Sequence, residues 1–281
     1  MTVSLIGMDV GFYNSIGAYP LEARCEMLAE LGYTGTNLTL WSEPAWADLP
    51  RLARATADSG LEASSVYVTV DIAAPLEDEA TRRALALIGS VEATRTVEVA
   101  LVADSTYAPS DPAGDDRARA FLERALAAAE SNEVTLLLYP HTFGWVERID
   151  DAVRLAATFD DPRLGLTFSA FHWYAADRQD LDGTLQRAAR YLGMANVSGS
   201  RPQSGGYFPA TIEPVGGGEL DVFHVVATLR ENGYTGALGV QGYGIGGDPY
   251  EAFASSRDAI GSIEDRLARH PAWRQLRPDR I

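Results

Sequence analysis

Residues 134–177 read VTLLLYPHTFGWVERIDDAVRLAATFDDPRLGLTFSAFHWYAAD. An apolar run at 134–139, a helical pattern at 148–159 and a second apolar run at 164–168 make one β-α-β unit, the signature of parallel strands joined by a helical crossover. The same alternation continues in both directions. Towards the N-terminus lie strand runs at 4–9, 35–40, 61–70 and 97–102, followed by helices at 20–31, 49–58, 76–93 and 117–131. In the first helix Leu21, Cys25, Leu28 and Ala29 fall on one face, and Gly60 ends the second. Towards the C-terminus come a helix at 181–191, a strand at 193–197, a long loop rich in Gly and Pro, a helix at 222–232, a strand at 237–240 and a helix at 250–267. Eight units with no separating linker predict an α/β chain folded as a single (β/α)₈ barrel over residues 1–281, with a tail from about 269. No G-x-G-x-x-G opens the first turn, as an open dinucleotide-binding sheet would require. Gly216, Gly217 and Gly218 come at the end of a long loop and make a poor phosphate cradle.

Composition excludes several kinds of chemistry. The chain has no lysine: its 23 basic residues are all arginine, so no Schiff base forms with substrate or with pyridoxal phosphate. A formal charge of −16 opposes nucleic acid and anionic membrane surfaces as partners. No apolar run is long enough to span a bilayer, and the first residues, MTVSLIGMDVGFYNS, have no basic segment or cleavage site of a signal peptide. Cys25 is the only cysteine, which leaves no internal disulfide and suits a reducing compartment. The expectation is a cytoplasmic protein that acts on a small molecule.

In a barrel of this kind chemistry sits at the C-terminal ends of the strands. Those ends carry Asp9, Trp41 with Glu43, Tyr67 with Asp71, and Asp104 in the first half. The second half adds Tyr139 with His141, Ser169 with His172, Asn196 with Arg201, and Gln241 with Tyr243. Two of the four histidines are therefore candidates, while His224 falls within a helix and His270 in the tail. An aromatic wall of Trp41, Tyr67, Trp173 and Tyr243 would suit a sugar ring or an aromatic ligand, although a single aromatic at such a place can also plug the barrel.

The segment 136–177 resembles the centre of the xylose isomerase-like superfamily, which includes sugar isomerases and epimerases and the endonuclease IV branch. The family's fifth strand ends Glu-Pro/Asn-His and here reads Tyr139-Pro140-His141. Its sixth, Gly-Leu-x-x-Asp-x-x-His, reads Gly165-Leu166 through Ser169 to His172. The segment GGGELDVFHVVATLRENGYTGALGVQGYG is similar to the family's last unit, and MLAELGYTGTNLTLW to its second. The resemblance covers nearly the whole chain and implies a TIM barrel. It also implies that His172 meets substrate hydroxyls, that His141 keeps the fifth-strand histidine, and that Arg201 lies near a substrate-contacting arginine. The family's divalent cation is held by Glu, Asp, His and Glu, but the matching positions here are Tyr139, Ser169, Asn196 and Gln241. Four neutral side chains offer no charge against the desolvation of a divalent ion, so neither metal nor other cofactor is expected.

These residues predict a metal-independent isomerase, epimerase or lyase for a sugar-like, keto or polyhydroxylated small molecule. Its catalytic residues would be His172, His141 and Tyr139. A histidine would remove a proton beside a carbonyl, and Tyr139, Asn196 and Gln241 would stabilise the enolate. Arg201, Ser169, Asn196, Gln241, Trp41, Tyr67, Trp173 and Tyr243 would bind substrate, with Asp71 and Glu43 as further partners. The alternative is an inactive barrel that binds a small molecule or regulates; the retention of both histidines favours the enzyme. DNA repair would need zinc ligands and a basic face. The basic, aromatic tail from His270 is a candidate contact for a second subunit in a homo-oligomer.

Overall fold

The computed structural model describes residues 4–103, 106–178 and 180–275. The strands are β1 (Leu5–Gly7), β2 (Gly35–Thr39), β3 (Glu62–Asp71), β4 (Thr96–Val102), β5 (Thr135–Leu138), β6 (Leu164–Ser169), β7 (Leu192–Val197) and β8 (Leu238–Val240). They pair in chain order, all parallel, and β8 closes on β1 with Leu5 opposite Leu238 and Gly7 opposite Val240. The expected (β/α)₈ barrel is the observed fold. Asp104 lies outside the described residues.

The outer layer is built by α1 (Leu21–Glu30), α2 (Glu43–Asp58), α3 (Glu79–Ser90), α4 (Asp115–Asn132), α5 (Ile149–Phe159), α6 (Ala170–Ala176), α7 (Leu181–Ala188), α8 (Val222–Glu231) and α9 (Pro249–Arg269). Two of these depart from expectation. The second helix starts at Glu43 and not near 49, because the Ser42 hydroxyl accepts the Ala45 N–H and Pro44 fits the first turn. Pro50 therefore sits inside α2 and does not mark its start. The seven-residue α6, which no periodicity announced, follows β6 directly and is capped by Ser169. No helix among the described residues is long and apolar enough to cross a membrane.

Side chains alternate across each strand, and the closed sheet turns that alternation into an inside and an outside. Val66, Val68, Val97, Val99, Leu136 and Leu138 face the helices in the main core. The residues between them point inward. Ile6, Leu137 and Met194 fill the lower end of the barrel, and Tyr67, Ala100 and Tyr139 pack together higher up. Glu98, wholly buried, accepts hydrogen bonds from Ser65 (2.6 Å) and Thr167 (2.8 Å). At the chain's end the described tail packs on its own α8: His270 stacks on Trp273 at 4.2 Å, and Trp273 meets Phe223 edge-on at 6.1 Å. Trp273 nonetheless stays 41% exposed, and residues 276–281 of the tail lie outside the described residues.

Candidate active site

A cavity of about 230 Å³ opens at the C-terminal ends of the strands. Of the residues singled out in the sequence, His141, His172, Tyr139, Gln241, Trp41, Tyr67 and Tyr243 line it together. Four others do not. Ser169 and Asn196 are buried, and neither is among the residues lining the cavity. Trp173 packs on the hydrophobic core. Arg201 is held by Glu213 in a two-pronged ion pair, 2.6 Å from Nε and 3.0 Å from Nη2, on the loop between β7 and α8. The proposed carboxylate partners are also engaged elsewhere: Glu43 pairs with Arg83, and Asp71 accepts the N–H of Ala73 in its own turn.

The two histidines form the chemical centre. His141 leaves the end of β5 and His172 sits in the first turn of α6, yet their ring centroids are 4.0 Å apart. Thr142 holds both. His141 Nδ1 lies 2.7 Å from the Thr142 carbonyl oxygen, which can only accept, so this nitrogen carries the proton. His172 Nδ1 receives the Thr142 backbone N–H at 3.1 Å, which can only donate, so this nitrogen carries the lone pair. The neutral rings are therefore opposite tautomers: His141 has a bare Nε2, and His172 has an Nε2–H. Burial lowers the pKa of both below 6.5, and for His172 the neighbouring His141 lowers it further, so both are neutral at pH 7.

Beside the histidines, the Tyr139 hydroxyl donates to Gln241 Oε1 at 3.4 Å and the Ser169 hydroxyl donates to the same oxygen at 3.3 Å. Two donors on one oxygen orient the amide and leave the Gln241 Nε2 hydrogens for a ligand. Burial raises the Tyr139 phenol above its ordinary pKa and keeps it neutral. The Ser169 hydroxyl and Asn196 amide lie close enough to soften that rise, though neither makes a well-formed hydrogen bond to it. Asn196, 1% exposed, has both amide atoms without a partner, and its Oδ1 lies where a side chain on Gly239 would begin.

Tyr139, Ser169, Asn196 and Gln241 occupy the positions at which the resemblance implies a cation, and they do not fit one. A neutral phenol, a hydroxyl and two amides supply no anionic oxygen, imidazole or thiolate. Among the described residues no three His, Cys, Asp or Glu side chains are grouped so as to hold an ion.

Several residues of the site were not singled out in the sequence. Thr142 is one: besides its backbone groups, its hydroxyl lies 3.1 Å from His172 Nδ1. Phe171, Tyr207 and Phe208 also line the cavity. The last two ride on a hairpin within the β7–α8 loop, in which Gly199 bridges Glu213 and Pro202 bridges Ala210. Its turn contains Gly205 at φ +79°, a conformation open to glycine. The available signal was the turn sequence SGGYF, in which two aromatics follow two glycines.

Comparison with known proteins places this geometry in context. The family model for the xylose isomerase-like TIM barrel matches residues 25–263. No curated protein matches the chain at a significant level. Among solved structures, an IolI protein with a bound zinc atom shares 15% identity at a TM-score of 0.76, covering 94% of this chain and 98% of its own. An L-ribulose 3-epimerase shares 17% identity at a TM-score of 0.75, covering 99% of this chain and 100% of its own. A D-psicose 3-epimerase from Clostridium cellulolyticum H10, solved with D-tagatose, shares 15% identity at a TM-score of 0.69, covering 94% and 99%. At these identities the likeness is one of fold.

Proposed function

The chain belongs to the xylose isomerase-like TIM barrel family, and from that premise we propose that it is an isomerase or epimerase of a small carbonyl compound, working by histidine acid–base chemistry without a divalent metal. The observation that carries this reading is the opposite tautomers of His141 and His172, set by the carbonyl and the amide of one residue. His141 Nε2 takes the proton from the carbon next to the carbonyl. The C–H electron pair moves onto the carbonyl oxygen, and that enolate accepts hydrogen bonds from Gln241 Nε2 and His172 Nε2–H. One such donor is typically worth ~3 kcal/mol. Protonation of the same carbon by water on the opposite face gives an epimer; transfer of the neighbouring hydroxyl proton to the enolate oxygen, with His141 returning its proton to the former carbonyl carbon, gives an isomer. Tyr139 and Ser169 act as positioning residues through their shared bond to Gln241. The likeness to structures of sugar epimerases supports the reaction class, and the neutral donor set supports the absence of metal.

Deuterium exchange tests it directly. Hydroxyacetone, 2-hydroxyacetophenone and D-fructose, each incubated with the protein in D₂O, would be followed by proton NMR for loss of the C–H signal next to the carbonyl. The wild type is expected to exchange at least one of them. His141→Gln is expected to slow that exchange by roughly 10²–10⁴-fold, the usual contribution of a general base. Unchanged exchange in the variant would remove His141 from this role. No exchange by the wild type would leave a barrel that binds without turnover.

A further inference from the structure

The cavity is built for a particular kind of molecule. Among the described residues lining it, none is Asp, Glu or Arg, and both histidines are neutral. Arg201, on the same loop as Tyr207 and Phe208, is already bound by Glu213, and the chain has no lysine. A phosphate or carboxylate entering here would lose its hydration and meet no countercharge.

Hydrogen-bonding groups are carried mainly by rings. The Thr39 hydroxyl is spent on Asp9 at 2.7 Å and the Tyr139 hydroxyl on Gln241. What remains is Gln241 Nε2, the Thr69 hydroxyl, the two imidazole Nε2 atoms, the Trp41 indole N–H and the phenols of Tyr67, Tyr207 and Tyr243. Six of these eight groups belong to aromatic rings, so a guest here exchanges water largely for ring faces and edges.

The rest of the wall is apolar, with Met8, Val10, Val102 and Ile212 between two aromatic groups. In one, Trp41 meets Tyr67 and Tyr243 edge-on at 5.9 and 5.5 Å. In the other, Phe208 meets Phe171 at 5.4 Å and Tyr207 at 4.8 Å. The outer members stand in solvent: Trp41 is 45% exposed and Tyr207 81%. Of the six exposed large hydrophobic side chains among the described residues, Tyr13, Ile16, Trp41, Phe143 and Tyr207 all lie on loops at this end of the barrel. Apolar surface concentrated at one concave opening marks a ligand site and not random exposure.

We propose that the substrate is an uncharged α-hydroxyketone or related carbonyl compound bearing an aromatic or alicyclic group, whose short polar end meets the histidines while its ring lies between Trp41 and Phe208. This rests on the proposed carbonyl chemistry and names the class of molecule that undergoes it. At ~30 Å³ for each water-sized group, the cavity of about 230 Å³ has room for one ring and its substituents. The hairpin that carries Tyr207 and Phe208 is then the element that sets specificity.

Matched probes separate this from its alternatives. Isothermal titration would compare 2-hydroxyacetophenone with hydroxyacetone, which differ only in phenyl against methyl, and both with D-fructose and dihydroxyacetone phosphate. The expected result is that 2-hydroxyacetophenone binds roughly tenfold or more tightly than hydroxyacetone, and that neither D-fructose nor dihydroxyacetone phosphate binds more tightly than hydroxyacetone. Phe208→Ala and Trp41→Ala should each shrink the phenyl preference, and the second serves where the first perturbs the hairpin. Equal affinity for the two ketones, no binding of the aryl ketone, or tightest binding of the sugar or the phosphate would overturn the proposal. His141→Gln should keep the preference while losing exchange. A phenyl preference without exchange would therefore defeat only the catalytic reading, and exchange of D-fructose without that preference would defeat only this one.

Discussion

At the scale of single residues, His141 and His172 share one electrostatic environment: with rings 4.0 Å apart, protonating either opposes protonation of the other. A base must be neutral to act, and burial holds both pKa values below 6.5. Exchange activity should therefore stay level as pH falls through 6.5 and decline only on the acid side of it. A pH profile of kcat/KM with its acid limb at or above 6.5 would contradict the buried, neutral pair. Glu98 titrates with the opposite sign. Burial raises its carboxyl above the ordinary 4.5, with the Ser65 and Thr167 hydroxyls offsetting part of the rise. The folded chain thus keeps a proton that the unfolded chain releases, and the stability this contributes is complete below pH 4.5 and is lost as pH climbs through the folded value. Glu98→Gln removes the titration while preserving shape. Its melting temperature relative to wild type should therefore rise as pH climbs above 4.5; parallel curves from that pH upward would show that Glu98 is not held protonated. Sequence offered two histidines for the base without choosing between them, and it did not mark this acid. His141 and His172 were visible as strand-end histidines, whereas Glu98 hid in the apolar run TVEVALV as one polar residue whose inward direction depends on strand register.

At the scale of elements, short caps do work that looks chemical in the sequence. Asp221 lies in the segment that is similar to the family's last unit, and its carboxylate caps α8 by accepting the His224 N–H at 3.0 Å. Asp221→Ala should cost about 1 kcal/mol in urea unfolding and leave the phenyl preference of the cavity intact; a change of that preference would place Asp221 nearer the ligand than its hydrogen bond implies. Ser169 acts twice, capping α6 through the His172 N–H at 3.5 Å and donating to Gln241. The α6 turn escaped the sequence reading because seven residues are too few to show a helical period. The cap that starts α6 also brings His172 to the cavity. Arg201 presents the opposite case. Its position suited a substrate contact, but the hairpin bridge between Gly199 and Glu213 brings the Glu213 carboxylate to its guanidinium.

At the scale of the whole molecule, the chain pairs a net charge of −16 with a cavity that, among the described residues, no carboxylate lines. Bound metal raises the stability of a fold that holds it. Dialysis against EDTA should therefore leave both the melting temperature and the exchange rate unchanged, and a fall in either would mean that a cation is held by side chains other than Tyr139, Ser169, Asn196 and Gln241. The barrel itself could be read from the chain because its cause is local. Each strand and helix writes its own period in the order of apolar residues, and eight such units in succession leave few ways to bury their faces. The missing lysine and the neutral residues at the ligand positions were equally legible, being facts of composition and order. The chemistry of the mouth was not. Opposite tautomers arise because closure of the barrel and the turn after β5 set the Thr142 carbonyl against one imidazole and its amide against another 30 residues away. Hydrogen bonds act over a few ångströms and only in certain directions, so their pairing depends on where the strands meet in space, a relation that no periodicity along the chain records.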